Sequence, residues 1–269
     1  TRDFTQIIRV GSTPRLEFGN HPTSDDDPTV AFSTGTSTSN IMYNLTITFD
    51  GAVDFTDTDS IGESMTIFGK DYTVGAGTTI DKLYLYESSE TVGLSIGGTD
   101  PSSTTVTIEG STYTVELVSA TDDAATIKVT DSLGASQSKE INEDASKRVQ
   151  GVDIAVDLAD EDTATNRLLA QITVGANKVL LKSGSKIKEG SDEDSIDGTL
   201  VTRSGAYWNV STGFTIGVVP DDSDIDAITV GESFTDPAFG TLKLDFSGLY
   251  SDDDRETITI NPAGGDKAT

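Results

Sequence analysis

Apolar and polar residues alternate along most of the chain, which is the pattern of strands with one face buried and the other in water. In residues 82–87, Leu83 and Leu85 alternate with tyrosines, and in residues 152–158 every second residue is apolar, which predicts one shared face. Residues 175–177 separate two apolar runs and are expected to form a hairpin turn. Similar alternation predicts strands at 4–10, 43–49, 214–219, 241–246 and 257–260. The pattern predicts an all-β protein of immunoglobulin-like β-sandwich domains, built from short antiparallel strands with minimal helix.

Two ten-residue stretches, MTIFGKDYTV (65–74) and VTIEGSTYTV (106–115), are nearly the same. In each stretch, residues that favour strands lead into a short turn containing Gly69 or Gly110, and Tyr-Thr-Val leads out. Glycine readily adopts the positive φ angles of tight turns, so each stretch predicts a β-hairpin. Duplication and the common composition of hairpins explain the similarity equally well.

The length of 269 residues allows one large or two moderate β domains. Gly, Asp, Pro and Ser occur together in GGTDPSS (97–103), a composition typical of a linker. We therefore expect a β-sandwich domain in residues 1–100 and a second β-rich domain in residues 101–269. A subdivision of the second domain near residue 218, or a discontinuous arrangement with one domain inserted in the other, remains open.

The chain carries 45 acidic and 18 basic residues, for a formal net charge of −27. Such a surface repels phosphate backbones and anionic lipid headgroups, which disfavours binding to nucleic acid or to membrane surfaces. It attracts divalent cations, so calcium dependence outside the cell and adaptation to high salt are both consistent with it. Cysteine is absent, which excludes disulfides, and no apolar run reaches the roughly 18 residues that span a bilayer. Because the sequence begins with Thr1, a processed chain or a segment of a longer one is expected.

Clusters of aspartate in predicted loops are candidate calcium sites, because calcium takes six to eight oxygen ligands from flexible acidic loops. The candidate ligands are Asp192, Asp194, Asp197, Asp222, Asp224 and Asp226. Neither cluster completes an EF-hand, since Ile196 occupies a ligand position and Ala227 stands where that loop requires glycine. A solvated acidic loop is the alternative interpretation of each cluster.

Two sequons, at Asn44 and Asn209, are candidate N-glycosylation sites of an exported protein. Asn44 lies inside a predicted strand. In a chain so rich in Ser and Thr, such sequons also arise by chance, so they support an exterior location only weakly.

Catalytic motifs are not found, and the candidate catalytic set is empty. His21 is the only histidine and lies in a predicted loop without the motifs that accompany a nucleophilic serine. A glycosidase would need two carboxylates in a cleft, usually one lined with aromatic residues. Trp208 is the only tryptophan. We therefore expect a protein that is not an enzyme.

Five stretches together resemble archaeal surface-layer proteins, and they cover much of residues 30–265. These stretches are 52–79, 106–134, 141–156, 172–190 and 233–249. Their motifs are diffuse β patterns and contain no catalytic signature. The resemblance implies a secreted, sandwich-rich and often glycosylated protein that packs into a paracrystalline coat, frequently with divalent cations. Family members are usually longer, so we expect a segment or a shortened member.

The residues and the resemblance together predict an extracellular structural protein that self-assembles into a cell-surface lattice or a filament, with calcium as a candidate bridge between copies. The N-terminal strand, residues 4–10, is a candidate for exchange with a neighbouring copy, and an ordinary first strand is the simpler interpretation. The alternative function is a secreted adhesin or carbohydrate-binding module. Its candidate aromatic platform consists of Tyr84, Tyr86, Tyr207 and Trp208.

Overall fold

The computed structural model describes residues 3–10, 15–19, 29–33, 41–87, 89–108, 110–175, 177–220 and 227–248. This part of the chain is nearly all β, and its only helical segment is a 3-10 turn at Trp208–Val210. The strands, in chain order, are β1 (Phe4–Val10), β2 (Arg15–Gly19), β3 (Thr29–Ser33), β4 (Tyr43–Val53), β5 (Ser64–Ile67), β6 (Lys70–Val74), β7 (Lys82–Glu87), β8 (Glu90–Ile96), β9 (Ser103–Ile108), β10 (Ser111–Ala120), β11 (Ala124–Asp131), β12 (Ser136–Asn142), β13 (Ser146–Val149), β14 (Val152–Asp162), β15 (Arg167–Gly175), β16 (Asn177–Lys182), β17 (Lys188–Glu189), β18 (Asp194–Ser195), β19 (Thr199–Ser204), β20 (Ser211–Val218), β21 (Ala227–Thr229), β22 (Ser233–Thr235) and β23 (Lys243–Asp245). The predicted all-β, sandwich-type fold is confirmed.

The buried side chains form two separate clusters. We call the first core the cluster drawn from residues 42–85 and 179–239, and the second core the cluster drawn from residues 94–174. In both cores, folding removes apolar side chains from contact with water, and this burial is the main favourable contribution to folding.

The first core lies between a four-stranded sheet in the order β1-β4-β20-β19 and a six-stranded sheet in the order β18-β17-β16-β7-β6-β5. Along β4 the buried and less buried residues alternate, as the sequence pattern predicts, from Tyr43 through Leu45 and Ile47 to Phe49. Two smaller sheets, β2-β3-β21 and β22-β23, complete the strand arrangement of the described residues.

The second core lies between two four-stranded sheets, in the orders β12-β11-β10-β9 and β13-β14-β15-β8. Consecutive strands from β9 to β12 pair as an antiparallel meander. The two predicted glycine hairpins are confirmed: β5 pairs β6 next to the first core, and β9 pairs β10 in the second. Gly69 and Gly110 have φ angles of 89° and 78°, in the region that glycine enters most easily.

Leu158 does not share the face of its predicted partners on β14. Val152, Ile154 and Val156 are buried, whereas Leu158 is 43% exposed. The register between β14 and β15 shifts between Val156 and Leu158. A bulge of this kind inserts one residue and reverses the alternation of faces beyond it, which corrects the prediction.

The predicted hairpin turn at residues 175–177 is also wrong. β15, before it, pairs with β14 and β8, whereas β16, after it, pairs with β7 and β17. The chain therefore passes from one sheet to another here, and from the second core to the first. Gly175 suits this crossing, because an added Cβ would lie 3.0 Å from Cβ of Tyr86.

The expected division of the chain near residue 100 stays a prediction. Leu94 and Val106, on either side of GGTDPSS, are both buried in the second core. The connection between their strands is tied down, since the Ser95 hydroxyl donates to the carbonyl of Asp100 at 2.7 Å. Buried residues change from the first core to the second between Leu85 and Leu94, and back again between Val174 and Val179.

Candidate functional site

Strand β1 forms one edge of the four-stranded sheet. It pairs antiparallel with β4 over seven residues, from Phe4 opposite Phe49 to Val10 opposite Tyr43. Among the described strands it has no partner on its other side. The outer backbone N–H and C=O groups of such an edge are a template for another strand.

The side chains of β1 are unusually accessible for a strand with this sequence. Only Phe4 is partly buried, and the other six residues are exposed. The alternation places Ile8 and Val10 on the same face as Leu45 and Tyr43 of β4, the face that packs on the first core. Yet Ile8 is 49% exposed and Val10 is 58% exposed. Apart from the ring of Phe4, β1 therefore contributes little to the first core.

Phe4 anchors β1 through a line of aromatic rings that runs into the first core. Neighbouring rings meet edge to face, with centroid distances of 5.6 to 5.9 Å. Such pairs contribute about 0.5–1.5 kcal/mol beyond the area they bury. We call this line the aromatic row; in order, its members are Phe4, Phe49, Phe55, Trp208 and Phe214.

Gln6 connects β1 to the tip of the β5–β6 hairpin in the opposite sheet. Its amide nitrogen donates to the carbonyl of Thr66 at 3.1 Å, and its amide oxygen accepts from the backbone N–H of Phe68 at 2.6 Å. The same tip is held from the other side, because the hydroxyl of Thr241 donates to the carbonyl of Phe68 at 2.6 Å. Gln6 thus links the four-stranded sheet to the hairpin of the opposite sheet.

An open cavity of about 310 Å³ lies next to Phe4, between the β1 edge and the β5–β6 hairpin. We call it the edge cavity. Its apolar lining consists of Phe4, Phe49, Val53, Phe55, Met65 and Val74. Asp59 and Glu63 contribute acidic groups, and Ser60 and Ser64 contribute hydroxyls. Apolar walls with a few polar groups are the ordinary composition of a binding site.

The candidate calcium ligands divide into two groups. Asp222, Asp224 and Asp226 lie outside the described residues. Asp194 lies on the short strand β18, Asp192 and Asp197 flank that strand, and all three are exposed. Asp197 forms an ion pair with Lys186. Within the described part of the chain, no three acidic or histidine side chains come together as a metal-binding group. Calcium binding stays a prediction.

Glu193, between the candidate ligands, takes part in a polar network that the sequence did not indicate. It accepts from the Tyr84 hydroxyl at 3.0 Å and lies 3.5 Å from Nζ of Lys178, which is only 5% exposed. The Lys178 ammonium also lies 5.2 Å from the centre of the Tyr84 ring. A buried ammonium requires such partners, so this network is part of the fold.

The two sequons lie in different surroundings. Asn44 is half-buried on β4, between Arg9 of β1 and Gly217 of β20. Asn209 is half-buried in the 3-10 turn, where its side-chain oxygen is buried without a hydrogen-bond partner. Glycosylation of either residue stays a prediction.

Two members of the candidate aromatic platform are not accessible to a ligand. Trp208 is 0% exposed and Tyr86 is 3% exposed, since both rings pack inside the protein. Tyr207 is 47% exposed, and the Arg203 guanidinium lies 5.9 Å from the centre of its ring. A platform for sugar stacking would need Trp208 and Tyr86 at the surface, so the four residues do not form one.

Two aspartates of β14 lie where the second core contacts residues of the first. The side chain of Asp153 is fully buried and accepts from the backbone N–H of Lys178 at 3.0 Å. Asp157 accepts from the Thr173 hydroxyl at 2.7 Å and from the backbone N–H of Ala76. Burial raises the pKa of Asp157 to about 6. In each aspartate the second carboxylate oxygen is buried without a partner, which charge counting along the sequence could not reveal.

Comparison with protein-family models finds no match for this chain, and no curated protein matches it either. In the described residues, no helix is long and apolar enough to cross a membrane. The geometry of the β1 edge and its cavity is therefore the basis for the functional argument.

Proposed function

We propose that this chain is a non-enzymatic, extracellular structural subunit that self-assembles into a filament or an S-layer-like lattice through the edge formed by β1. The observation that carries the proposal is β1 itself, an edge strand with one partly buried side chain and, among the described strands, an open hydrogen-bonding side. The resemblance of five stretches to archaeal surface-layer proteins supports the same reading.

Exchange of β1 between copies would conserve the contacts that hold it. The β1 strand of a neighbour would offer β4 the same backbone hydrogen bonds and the same Phe4 ring, and it would offer the β5–β6 hairpin the same Gln6 amide. Because only Phe4 leaves a partly buried position, the first core would stay assembled while β1 moves. Strand exchange and strand addition are both established routes to assembly from an open edge.

The net charge makes assembly dependent on ions. Copies that each carry a charge of −27 repel one another over roughly 10 Å at 0.1 M salt, and over longer distances at lower salt. Calcium would reduce this repulsion and bridge exposed aspartates such as Asp192, Asp194 and Asp197. Calcium would therefore reduce the repulsion between copies, whereas β1 would supply the contact between them.

The proposal is tested by negative-stain electron microscopy of the purified chain with millimolar calcium and with a chelator. Ordered filaments or sheets with calcium are the expected result. Persistent monomers under both conditions, at raised protein concentration and salt, would overturn the structural role.

Two variants examine the role of β1. A chain without residues 1–10 is expected to remain folded and monomeric, because it keeps β4 and the rest of the first core. Phe4→Ala is expected to weaken assembly, whereas Thr5→Ala, on the opposite face of the same strand, serves as the matched control. Polymers of normal length from the truncated chain would contradict assembly through β1.

A further inference from the structure

Four lysines line one cavity beside the six-stranded sheet of this acidic protein. The cavity has a volume of about 290 Å³, and the whole chain has only 18 basic residues against 45 acidic ones. Among the described residues of the lining, Glu193 alone is acidic. We call this place the lysine cavity; its lysines are Lys82, Lys182, Lys186 and Lys188.

The strands β7 and β16 form the base of the lysine cavity. Val179 and Leu181 of β16 belong to the first core, so Leu180 between them faces the other side of the sheet. Leu180 lies in the lining, which places the cavity on the sheet face turned away from the first core. Ser185, in the connection from β16 to β17, also lies in the lining. This connection is held in place, because the backbone N–H of Val201 donates to the carbonyl of Ser185 at 2.9 Å.

Two lysines of the cavity have acidic partners. Nζ of Lys188 lies 3.9 Å from a carboxylate oxygen of Glu193, and Lys186 forms an ion pair with Asp197. Glu193 is shared, because its other carboxylate oxygen lies 3.5 Å from Nζ of the buried Lys178. The single acidic group of the lining therefore already faces two ammonium groups.

The other two lysines, Lys82 and Lys182, are directly opposite each other in the antiparallel pair of β7 and β16. Within the described part of the chain, neither of them forms an ion pair, and Lys182 is exposed. Like charges at directly opposite positions destabilise a sheet. A local arrangement that costs stability is expected mainly at functional sites, and an anion held between the two ammonium groups would offset the repulsion.

We propose that the lysine cavity binds a small oxyanion, of the class of sulfate and phosphate, between Lys82 and Lys182. Each ammonium group offers several N–H donors, and the Ser185 hydroxyl adds another, which matches the several acceptor oxygens of one oxyanion. The cavity has room for the ion and some water, since each water takes about 30 Å³ of liquid volume.

The net charge of −27 does not prevent a small ion from reaching this cavity. Charge repulsion is largely screened beyond about 8 Å at roughly physiological salt, so the lysines next to the ion dominate its interaction. The site lies on the six-stranded sheet, whereas β1 belongs to the four-stranded sheet. The inference therefore does not depend on the proposed assembly through β1.

The test follows the backbone amide signals of residues 180–186 by NMR while sulfate replaces chloride at constant ionic strength. In the wild type, the signals are expected to shift and to saturate. Lys182→Met is expected to weaken sulfate binding by about tenfold or more, because it removes one of two charge-assisted contacts. Lys139→Met is the matched control, since Lys139 is partly exposed on β12, opposite Ile127, and outside the cavity. Shifts that do not saturate, or equal weakening in both variants, would overturn the inference.

Unfolding measurements separate a binding role from a structural one. Without sulfate, Lys182→Met is expected to be at least as stable as the wild type, because it relieves the repulsion between the opposite lysines. With saturating sulfate the order is expected to reverse, since the wild type gains more from binding. The general stabilising effect of sulfate acts on both chains alike. An equal loss of stability in Lys182→Met under both conditions would make the lysine pair structural and would overturn the anion site.

Discussion

The two cores of this chain are built from different side chains. The first core buries seven aromatic residues among the described positions, including Trp208 and Phe214, whereas the buried residues of the second core are all aliphatic. The second core comes from one continuous stretch, and the first is assembled from two stretches separated by the second. The repeated hairpin places nearly the same ten residues beside each core. The comparison shows which properties a local sequence determines and which depend on its surroundings.

Both hairpins have a turn glycine with positive φ, but the burial of their side chains differs. Tyr72 of the first hairpin is 1% exposed and packs at 6.0 Å from the ring of Phe239, whereas Tyr113 of the second is only partly buried. The tip of the first hairpin is bonded to Gln6, whereas a Cβ added at Gly110 in the second would meet no atom within 4 Å.

Truncation of the matched tyrosines should separate the two hairpins most clearly. Tyr72→Ala is expected to lower the free energy of unfolding by about 3–5 kcal/mol, because it leaves a cavity in an aromatic core. Tyr113→Ala is expected to cost about 1 kcal/mol, since much of that ring is in water. Urea denaturation of both variants measures the difference, and equal losses would show that burial does not distinguish the hairpins.

Two aspartates differ in how fully their carboxylate oxygens are hydrogen-bonded. Both carboxylate oxygens of Asp236, in the first core, accept hydrogen bonds, from the Tyr43 hydroxyl and from the backbone N–H of Phe239. Asp157, on β14, has one carboxylate oxygen without a partner, and its pKa is raised from 3.8 to about 6 by burial. The folded state therefore binds this proton more tightly than the unfolded state does. As a result, the contribution of Asp157 to stability falls as the pH rises from 3.8 to about 6.

A shift of this size corresponds to about 3 kcal/mol between acid and neutral pH. The measurement is the free energy of unfolding of the wild type and of Asp157→Asn between pH 4 and pH 7, chosen as roughly the titration window. The wild type is expected to lose stability relative to the variant as the pH rises. A difference that is constant across this range would contradict the buried titration.

Substitution of Gly69 and of Gly110 should lower stability by similar amounts, in contrast to the tyrosine variants. Gly69→Ala and Gly110→Ala are each expected to cost about 1–2 kcal/mol, because both positions have positive φ and neither meets a steric barrier. The asparagine variants should cost less, since asparagine enters this region more easily. Thermal unfolding of the four variants provides the measurement. A much larger loss at one glycine would mean that its surroundings, rather than its backbone angle, determine the effect.

The smallest expected effect concerns the tip of the first hairpin alone. Gln6→Ala removes two hydrogen bonds to backbone groups and is expected to cost about 1 kcal/mol. Gln6→Glu keeps the acceptor for the N–H of Phe68 but sets a carboxylate oxygen against the carbonyl oxygen of Thr66, so it should not restore the lost stability. Hydrogen exchange at the Phe68 amide measures the change. Unaltered protection in Gln6→Ala would show that this contact does not hold the hairpin.

The sequence could predict the features that neighbouring residues determine. The two hairpins follow from Gly69 and Gly110 within strand-forming residues, and the alternation along β4 follows from its apolar pattern. It could not predict the exposure of Leu158, because a bulge changes the register without a distinct signature. Nor could it show that residues 175–177 connect two different sheets, since nothing local specifies the partners of β15 and β16.

The candidate site was predictable in part for the same reason. The pattern of residues 4–10 predicts the strand itself, and its exchange with a neighbouring copy stays a prediction. The edge cavity does not, because it brings Phe4 together with residues 45 to 70 positions further along the chain. The contact of Gln6 with Phe68 is equally distant in sequence. Nothing in the sequence around Gln6 indicates that its partner is Phe68.

The aromatic row also gives the protein an internal optical reporter. Trp208 is the only tryptophan of the chain, it is fully shielded from water, and only Phe55 and Phe49 separate it from Phe4 in the row. Its emission therefore originates from a single place in the first core. Departure of the β1 strand would open the end of the row to solvent. The wavelength of that one emission band would follow the movement of β1 in real time, without a label.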